Sequence, residues 1–334
     1  MIAKELSMPL RLILTEILFR RLILGHRKFP EVESNLARRR AGYWGEIVLS
    51  NYMKKLPPEK YLIFHDLQLE IHGVQFQIDT LLISQSYILI IEAKNISGNL
   101  IFDSTFNQLL RIQDNKKETF EDPRVQAECH RTLLREWLVN HGINHLPIET
   151  LVFFANVKTT LRTLPGDKGD FSKVCKARDI FNKIYHNEKI YHQERTDLST
   201  ITEMGNLLLS HQRPQKIEIL QEFKIKTDEI RTGPRCPNCL HIPMIYTKGK
   251  GLCPKCQTSS KEVFKEGISD YFYLYKPTIT NSECRHFLQL PSNHVAQKIL
   301  QSLNLEWTGN TKSRIYYQPV EKVVPCDLLQ LMEC

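Results

Sequence analysis

Asp79, Glu92 and Lys94 are charged residues set in otherwise apolar sequence. The surrounding stretch reads Gln75-Phe-Gln-Ile-Asp-Thr-Leu-Leu-Ile-Ser84, then a polar Gln85-Ser86 break, then Tyr87-Ile-Leu-Ile-Ile-Glu-Ala-Lys-Asn95. Two β-branched-rich runs that meet at a short polar break signal a hairpin. Buried charge is costly unless it is paired or binds a metal. Period-two geometry puts Ile88, Ile90, Glu92 and Lys94 on one strand face, and antiparallel pairing can bring Asp79 near Glu92. Two carboxylates suit Mg2+ or Mn2+, cations that take hard oxygen ligands. A cation held there would polarise a phosphoryl oxygen and help make hydroxide from water. Lys94 would orient or activate that water, or stabilise charge developing on phosphate. The alternative is a structural Glu–Lys pair at a strand end. Glu-x-Lys after a strand is common by itself, and Asp79 is what favours chemistry over structure.

These side chains need a sheet to hold them and helices to close around them. Residues 1–40 read as helical with a break around Gly25 to Pro30, and residues 31–53 as a further helix that Pro57-Pro58 ends. That helix carries Glu46, which can supply a further acid through a water. Tyr61-Leu-Ile-Phe64 reads as a short strand. Longer strands follow over residues 69–84 and 87–95, turning at His72-Gly73 and Gln85-Ser86. A looser stretch from Gly98 lasts to Pro123. Residues 124–140 have helical spacing, with Gln126 at the start placed to hold the nucleophile or a phosphate. Residues 150–156 form another apolar strand. Helix, three strands, helix, strand is the order of an α/β fold with a mixed sheet flanked by helices. Residues 198–211 and 216–230 also read as helices.

Cys236-Pro-Asn-Cys239 and Cys253-Pro-Lys-Cys256 are two Cys-x-x-Cys knuckles. Each makes a tight turn that aims two thiolates at one point, and the intervening loop is short enough for one tetrahedral Zn2+. Four thiolates leave no open position, so the zinc would be structural. Two disulfides or a redox pair are the alternatives. Lys248, Lys250 and Lys255 nearby could touch phosphate or be solvated loop residues. His26, His65, His72, His130 and His145 form no metal spacing and read as surface or satisfied histidines. Further on, Thr280 to Leu288 reads as a capped helix, Ser292 caps a second helix, and Arg314 to Tyr317 reads as a strand. Helix, turn, helix and strand suggest a winged-helix-like nucleic-acid reader with Asn293, His294, Gln297, Lys298 and Arg314 on its face. The alternative is a small helical packing domain with polar exposed residues.

The chain has 334 residues, 42% of them hydrophobic and 25% charged, with a formal charge of +8. That is an ordinary globular composition, and its basic balance permits a nucleic-acid partner without proving one. The N-terminal run from Pro9 to Leu24 is interrupted by Arg11, Glu16, Arg20 and Arg21. It is too short to span a bilayer and lacks the layout of a signal peptide. It reads as an amphipathic docking helix, with a membrane-surface helix as the alternative. Nine cysteines, five of them outside the cluster, do not make a disulfide scaffold, so a cytoplasmic setting is the default.

Residues 41–156 resemble the nuclease-related domain family (NERD), itself similar to the PD-(D/E)XK restriction-endonuclease-like superfamily. The matching segments are Gly42-Tyr-Trp-Gly-Glu46, Gln77-Ile-Asp79, Ile90-Ile-Glu-Ala-Lys-Asn95 and Asp122-Pro-Arg-Val-Gln126. The resemblance implies a restriction-endonuclease-like sheet. It maps Asp79, Glu92 and Lys94 onto the superfamily's catalytic acids and lysine, and Glu46 onto its helix-borne acid. Pro123 and Gln126 match the family's helix start. The superfamily's name implies Pro-Asp, where this chain has Ile78-Asp79. The expected organisation is an N-terminal helical extension (1–40), a nuclease-like domain (41–160), a helical continuation and linker (161–231), a zinc ribbon (232–260) and a C-terminal helical, winged-helix-like unit (261–334). The expected function is a Mg2+-dependent nuclease acting on nucleic acid, DNA ahead of RNA. The ribbon and C-terminal unit would aid binding. The competing expectation is a non-catalytic nucleic-acid-binding or adaptor protein on the same scaffold.

Overall fold

The computed structural model describes residues 1–113, 116–310 and 313–319. The last stretch of the expected C-terminal unit, 320–334, lies outside the described residues. The chain forms two compact units, one from Met1–Pro9 and Arg38–Lys216, the other from Leu10–Ala37 and Ile217–Cys334. It begins with strand β1 (Ile2–Lys4), helix α1 (Leu10–Arg21) and helix α2 (Phe29–Met53), whose residues divide between the units. The N-terminal segment is therefore not wholly helical, because Ile2 and Lys4 pair in parallel with the next strand.

The first unit continues through strands β2 (Leu62–Ile71), β3 (Val74–Ile83) and β4 (Ile88–Lys94). Then come β5 (Gly98–Asp103), β6 (Gln108–Gln113), β7 (Lys116–Glu121), helix α3 (Pro123–Asn140), β8 (Ile148–Phe154), β9 (Thr159–Thr163) and β10 (Val174–Lys176). Helices α4 (Ile180–Ile190) and α5 (Leu198–Ser210) complete it. The main sheet has the order β1-β2-β3-β4-β8-β10. Strands β2, β3 and β4 are antiparallel neighbours, whereas β8 joins β4 in parallel and β10 joins β8 in parallel. Both faces are covered. On one, α3 and α5 pack Leu134, Trp137, Ile201 and Met204 against Phe64, Ile88 and Ile90. On the other, α2 and α4 pack Leu49, Met53, Ile180 and Ile184 against Leu89, Ile91 and Phe153. A strand covered on both faces has no polar side to show, which is why β4 is apolar until Glu92.

Three expectations need correction. The stretch from Gly98 to Pro123 is not loose. It supplies β5, β6 and β7 of a second sheet, of order β7-β6-β5-β9. Strand β7, Lys-Lys-Glu-Thr-Phe-Glu, is exposed at nearly every position, so it lacks the apolar alternation that marks a half-buried strand. The short strand at Tyr61 is the start of the ten-residue β2. Residues 216–230 hold only the short helix α6 (Ile219–Glu222) and a 3-10 turn. Lys224 there has φ +55, and Ile225 N–H reaches back to Leu220 O at 2.8 Å. This is a left-handed stop of the Schellman type, without the glycine that would announce it.

The second unit adds β11 (Ile245–Thr247), β12 (Lys250–Leu252), β13 (Ser259–Ser260), α7 (Val263–Leu274), β14 (Thr278–Thr280), α8 (Asn281–Phe287), α9 (Asn293–Ser302), β15 (Trp307–Thr308) and β16 (Ile315–Tyr317). Helix α1 is buried at every residue from Leu12 to Leu18 and packs on α6 and α7. It is a core helix rather than an amphipathic one lying on a surface. Its last residue, Arg21, is fully buried. The Arg21 guanidinium donates to Asp270 of α7, to Arg231 O at 3.1 Å and to Gly233 O at 3.0 Å. Arg20 donates to the same carboxylate. Burial would push the Asp270 carboxyl up, but Arg20 and Arg21 hold it below the usual carboxylate range. Strands β11, β12 and β13 form one small sheet, and β14, β16 and β15 another. Gly251 of β12 has no room for a side chain, because a Cβ there would lie 2.7 Å from Val263 of α7.

Replacing Asp270 by Asn takes the carboxylate from buried Arg21 and also from Arg20, which keeps its pairing with Glu266 at 3.4 Å. Breaking a buried pair typically costs about 3–5 kcal/mol. The urea midpoint of the second unit's transition should fall accordingly. The folded carboxyl binds its proton less readily than the unfolded one, so the stabilisation is present above the unfolded pKa of about 4 and is lost as the pH falls through the folded value. The gap between wild type and variant should therefore narrow in acid. A variant as stable as wild type near neutral pH would contradict the assignment.

Candidate active site and metal centre

Pairing between β3 and β4 runs from Ile83 opposite Ile88 to Thr80 opposite Ile91. The next residues on are Asp79 and Glu92. The ladder stops there, and Asp79 Oδ2 instead accepts the Ala93 N–H at 2.8 Å. The strands bend at this level. On β2, Asp66 adopts φ +50, and on β3 the core-facing residues shift phase, from Leu81 and Ile83 to Ile78 and Phe76. The bend lets Asp79 sit beside Glu92, which is only 2% exposed. Lys94 Nζ donates to Glu92 Oε1 at 2.7 Å and to Gln126 Oε1 at 2.9 Å. Gln126 is in place because Asp122 caps α3. Its carboxylate accepts the Arg124 N–H at 2.9 Å, and Pro123 takes the first helical position.

Glu46 comes from α2, and a close approach puts it there. A Cβ on Gly45 would lie 2.9 Å from Asn95 Cβ and 3.7 Å from Ala155 Cβ. Only glycine lets the helix meet the ends of β4 and β8 this closely. Asn95 Nδ2 also donates to Ala41 O at 2.8 Å, tying the middle of the helix to the end of β4. The next residue along, Glu46, is then within electrostatic range of Asp79, Asp66 and Glu92. On the same helix, Trp44 is 47% exposed.

All five residues expected from sequence thus gather at one place. A sixth was missed. His130 Nδ1 lies 3.6 Å from Glu92 Oε2, an electrostatic contact longer than a hydrogen bond. Gln126 and His130 are four apart on α3, hence on one face. That spacing was the available signal, and spacings of the histidines with one another do not carry it.

The site holds more carboxyl groups than its lysine alone can neutralise. Burial, then Asp79, Asp66 and Glu92, push the Glu46 carboxyl from 4.5 to about 9. Burial and Glu92 push Asp79 from 3.8 to about 7, against the pull of Lys94 and the Ala93 N–H. Burial would raise Glu92 too, but His130 and Lys94 bring it below the usual range. For Lys94 burial works downward, and Glu92 and Asp79 outweigh it, so the ammonium is retained. Glu46 Oε2 and Glu92 Oε2 are buried and have no hydrogen-bond partner among the described residues. Orphaned buried carboxylate oxygens beside a third carboxyl are a donor set that fits Mg2+ or Mn2+.

In the second unit, the sulfurs of Cys236, Cys239, Cys253 and Cys256 all lie within 4.8 Å of one another. Cys236 and Cys256 are 3.5 Å apart, as are Cys239 and Cys253. Four thiolates around zinc at about 2.3 Å would sit about 3.8 Å apart. The spacing therefore fits one zinc, whereas a disulfide needs about 2 Å. The two knuckles share one shape. Leu240 and Gln257, each following a second cysteine, have φ +60 and +59. Their N–H groups donate to Cys236 O and Cys253 O at 3.1 and 3.0 Å. Both knuckles feed the small β11-β12-β13 sheet, so the cluster is compatible with a zinc ribbon.

A mixed sheet between helices, with acids and a lysine at a strand end, is the architecture of a nuclease-like α/β domain. Residues 41–155 match the family model described as the nuclease-related domain, NERD. No curated protein and no solved structure matches the chain. No helix among the described residues is long and apolar enough to cross a membrane.

Two outcomes follow from this geometry. Folded Glu46 keeps its proton to about pH 9, whereas an unfolded glutamate releases its proton near 4.3. The folded state binds more protons across that window, so this group costs stability increasingly as the pH rises through it. Glu46→Gln removes the cost. Thermal melts without added divalent cation should show the variant gaining on wild type between acid and alkaline buffers. A gap that does not widen would contradict the buried carboxyl cluster. For the cysteines, elemental analysis of protein purified under reducing conditions without chelator should find one zinc per chain, lost in Cys253→Ser. Its absence from wild type would reject the ribbon.

Proposed function

We propose that this chain is a divalent-metal-dependent nuclease that hydrolyses phosphodiester bonds in nucleic acid, DNA ahead of RNA. The observation that carries the reading is the Asp79–Glu92–Lys94 group beside Glu46, with Glu46 Oε2 and Glu92 Oε2 buried and orphaned among the described residues. Asp79 and Glu92 would hold Mg2+ or Mn2+, with Glu46 contributing through a water. The cation would supply Lewis-acid polarisation of the phosphoryl oxygen and a lowered pKa for bound water. Lys94 stays an ammonium because Glu92 and Asp79 offset its burial. Its role is then to orient the attacking water and stabilise phosphate charge, rather than to take a proton. Gln126 holds Lys94 in line, and Trp44 offers an exposed ring on which a base could stack. The zinc ribbon and the C-terminal unit would help engage the nucleic acid. A thiolate–zinc cluster suits a reducing, cytoplasmic compartment.

The test uses purified full chain with Mg2+ or Mn2+ on linear and plasmid DNA and on RNA. Wild type should cut. Lys94→Ala should lower the rate by roughly 10²–10³, the range for loss of one transition-state charge partner. If wild type and Lys94→Ala are equally inert on every substrate, the enzyme reading is wrong. Inert protein that still binds DNA would favour the non-catalytic adaptor.

A further inference from the structure

The C-terminal module of the second unit runs α7, β14, α8, α9, β15, β16, and its strands are ordered β14-β16-β15, all antiparallel. Helices α8 and α9 pack on each other across a short turn containing Pro291. Both have sharp starts. Thr280 and Glu283 form a capping box at α8, and Ser292 Oγ accepts the Val295 N–H at α9. We propose that this module is a winged-helix reader of duplex DNA, with α9 as the helix entering the major groove and the β15–β16 hairpin as its wing. The proposal rests on the reading of this chain as a nucleic-acid-binding protein and assigns the surface that makes the contact.

The two faces of α9 have opposite chemistry. Ala296 and Leu300 are buried, and Val295, Ile299 and Leu303 pack on the same core. Asn293, His294, Gln297, Lys298 and Gln301 fall in one arc of about 140° at 100° per residue. Four of these five are exposed, Gln297 being half-buried. The helix carries no Asp or Glu, so nothing on that face repels a phosphate backbone. Carboxamides and a lysine are the groups that read base edges in the major groove. A helix that merely packs the domain together needs one apolar face, and α9 has one. It does not need an acid-free opposite face rich in carboxamides.

The hairpin adds a second contact of matching charge. The Arg314 guanidinium stacks 3.9 Å over the Trp307 ring, while Trp307 remains 50% exposed. The stack holds an extended cation at the wing without neutralising it. From Trp307 to Pro319 the sequence has no acidic residue. Phosphate contacts position such a module, and base-edge contacts specify its site. The deep, narrow major groove of A-form RNA does not admit a reading helix, so the occupant is duplex DNA.

Fluorescence anisotropy with a labelled DNA duplex tests this on the full chain. The parent protein carries Lys94→Ala so that the probe survives, and cleavage is not the readout. The nuclease reading therefore stands or falls separately. The double variant Gln297→Glu/Lys298→Glu, and separately Arg314→Ala, should weaken duplex binding by about tenfold or more. Gln301→Lys should tighten it, a gain that a folding defect does not produce. Lys189→Glu, an exposed charge change on α4 in the other unit, should have little effect. Duplex RNA of the same sequence should bind more weakly than DNA. The proposal is overturned if the α9 double variant binds like the parent, if Lys189→Glu loses as much, or if duplex RNA binds as well as DNA.

Discussion

Three carboxyl groups, Glu46, Asp79 and Glu92, share one buried volume with a single lysine ammonium. Burial first, and then their mutual repulsion, displace Glu46 to about 9 and Asp79 to about 7. A fold gains nothing by itself from this arrangement, since apolar residues of similar size would pack there without cost. The excess negative charge is the constraint to which the rest of the first unit conforms. It is tolerable only while the groups keep protons or face a cation, and Glu46 Oε2 and Glu92 Oε2 are buried without hydrogen-bond partners among the described residues.

Several otherwise unrelated features serve that constraint. The bend at Asp66 and Asp79 ends the β3–β4 ladder at Thr80–Ile91 and gives Asp79 a backbone N–H to accept. Glycine at 45 lets α2 press against the end of β4. Asp122 caps α3 so that Gln126 meets Lys94, and the next turn of the same helix brings His130 to Glu92. Each device is local, and each comes from a different element. The apolar layers on both sheet faces hold them in common register, because close-packed interiors resist small displacements.

The chemistry was more legible in the sequence than the architecture was. Asp79, Glu92 and Lys94 stood out because charge in a run such as Ile88-Leu-Ile-Ile91 has no structural need. The four cysteines stood out because their spacing serves few purposes other than metal. The second sheet was not legible. Its strand β7 is exposed at nearly every position, and β9, which pairs with β5, follows a helix and another strand, so that pairing is non-local. The stop at Lys224 was hidden because the left-handed residue is not glycine. His130 was passed over because a lone histidine on a helix looks like any other until the sheet beneath it is known. The burial of α1 was misjudged for a related reason. Arg20 and Arg21 look like the polar end of a surface helix until Asp270 supplies their partner.

The second unit shows a different economy. Cys236 and Cys253 belong to the same core cluster as Phe264, Ile268, Phe287 and Leu300. The ribbon and the helical module therefore share one interior. Gly251 at the β12–α7 contact keeps the two within van der Waals distance. A three-stranded ribbon with strands of two or three residues is too small to hold itself together by burial alone. The module it abuts is short as well, and its α9 keeps only one face in the core. Thiolate–metal bonding would then be the strongest local restraint on both, because the free energy of metal binding becomes folding free energy wherever the site exists only in the folded state. Leu300 of α9 shares that cluster with Val263 and the cysteine knuckles, so a zinc held there would act on the helix's surface by stabilising the wall behind it.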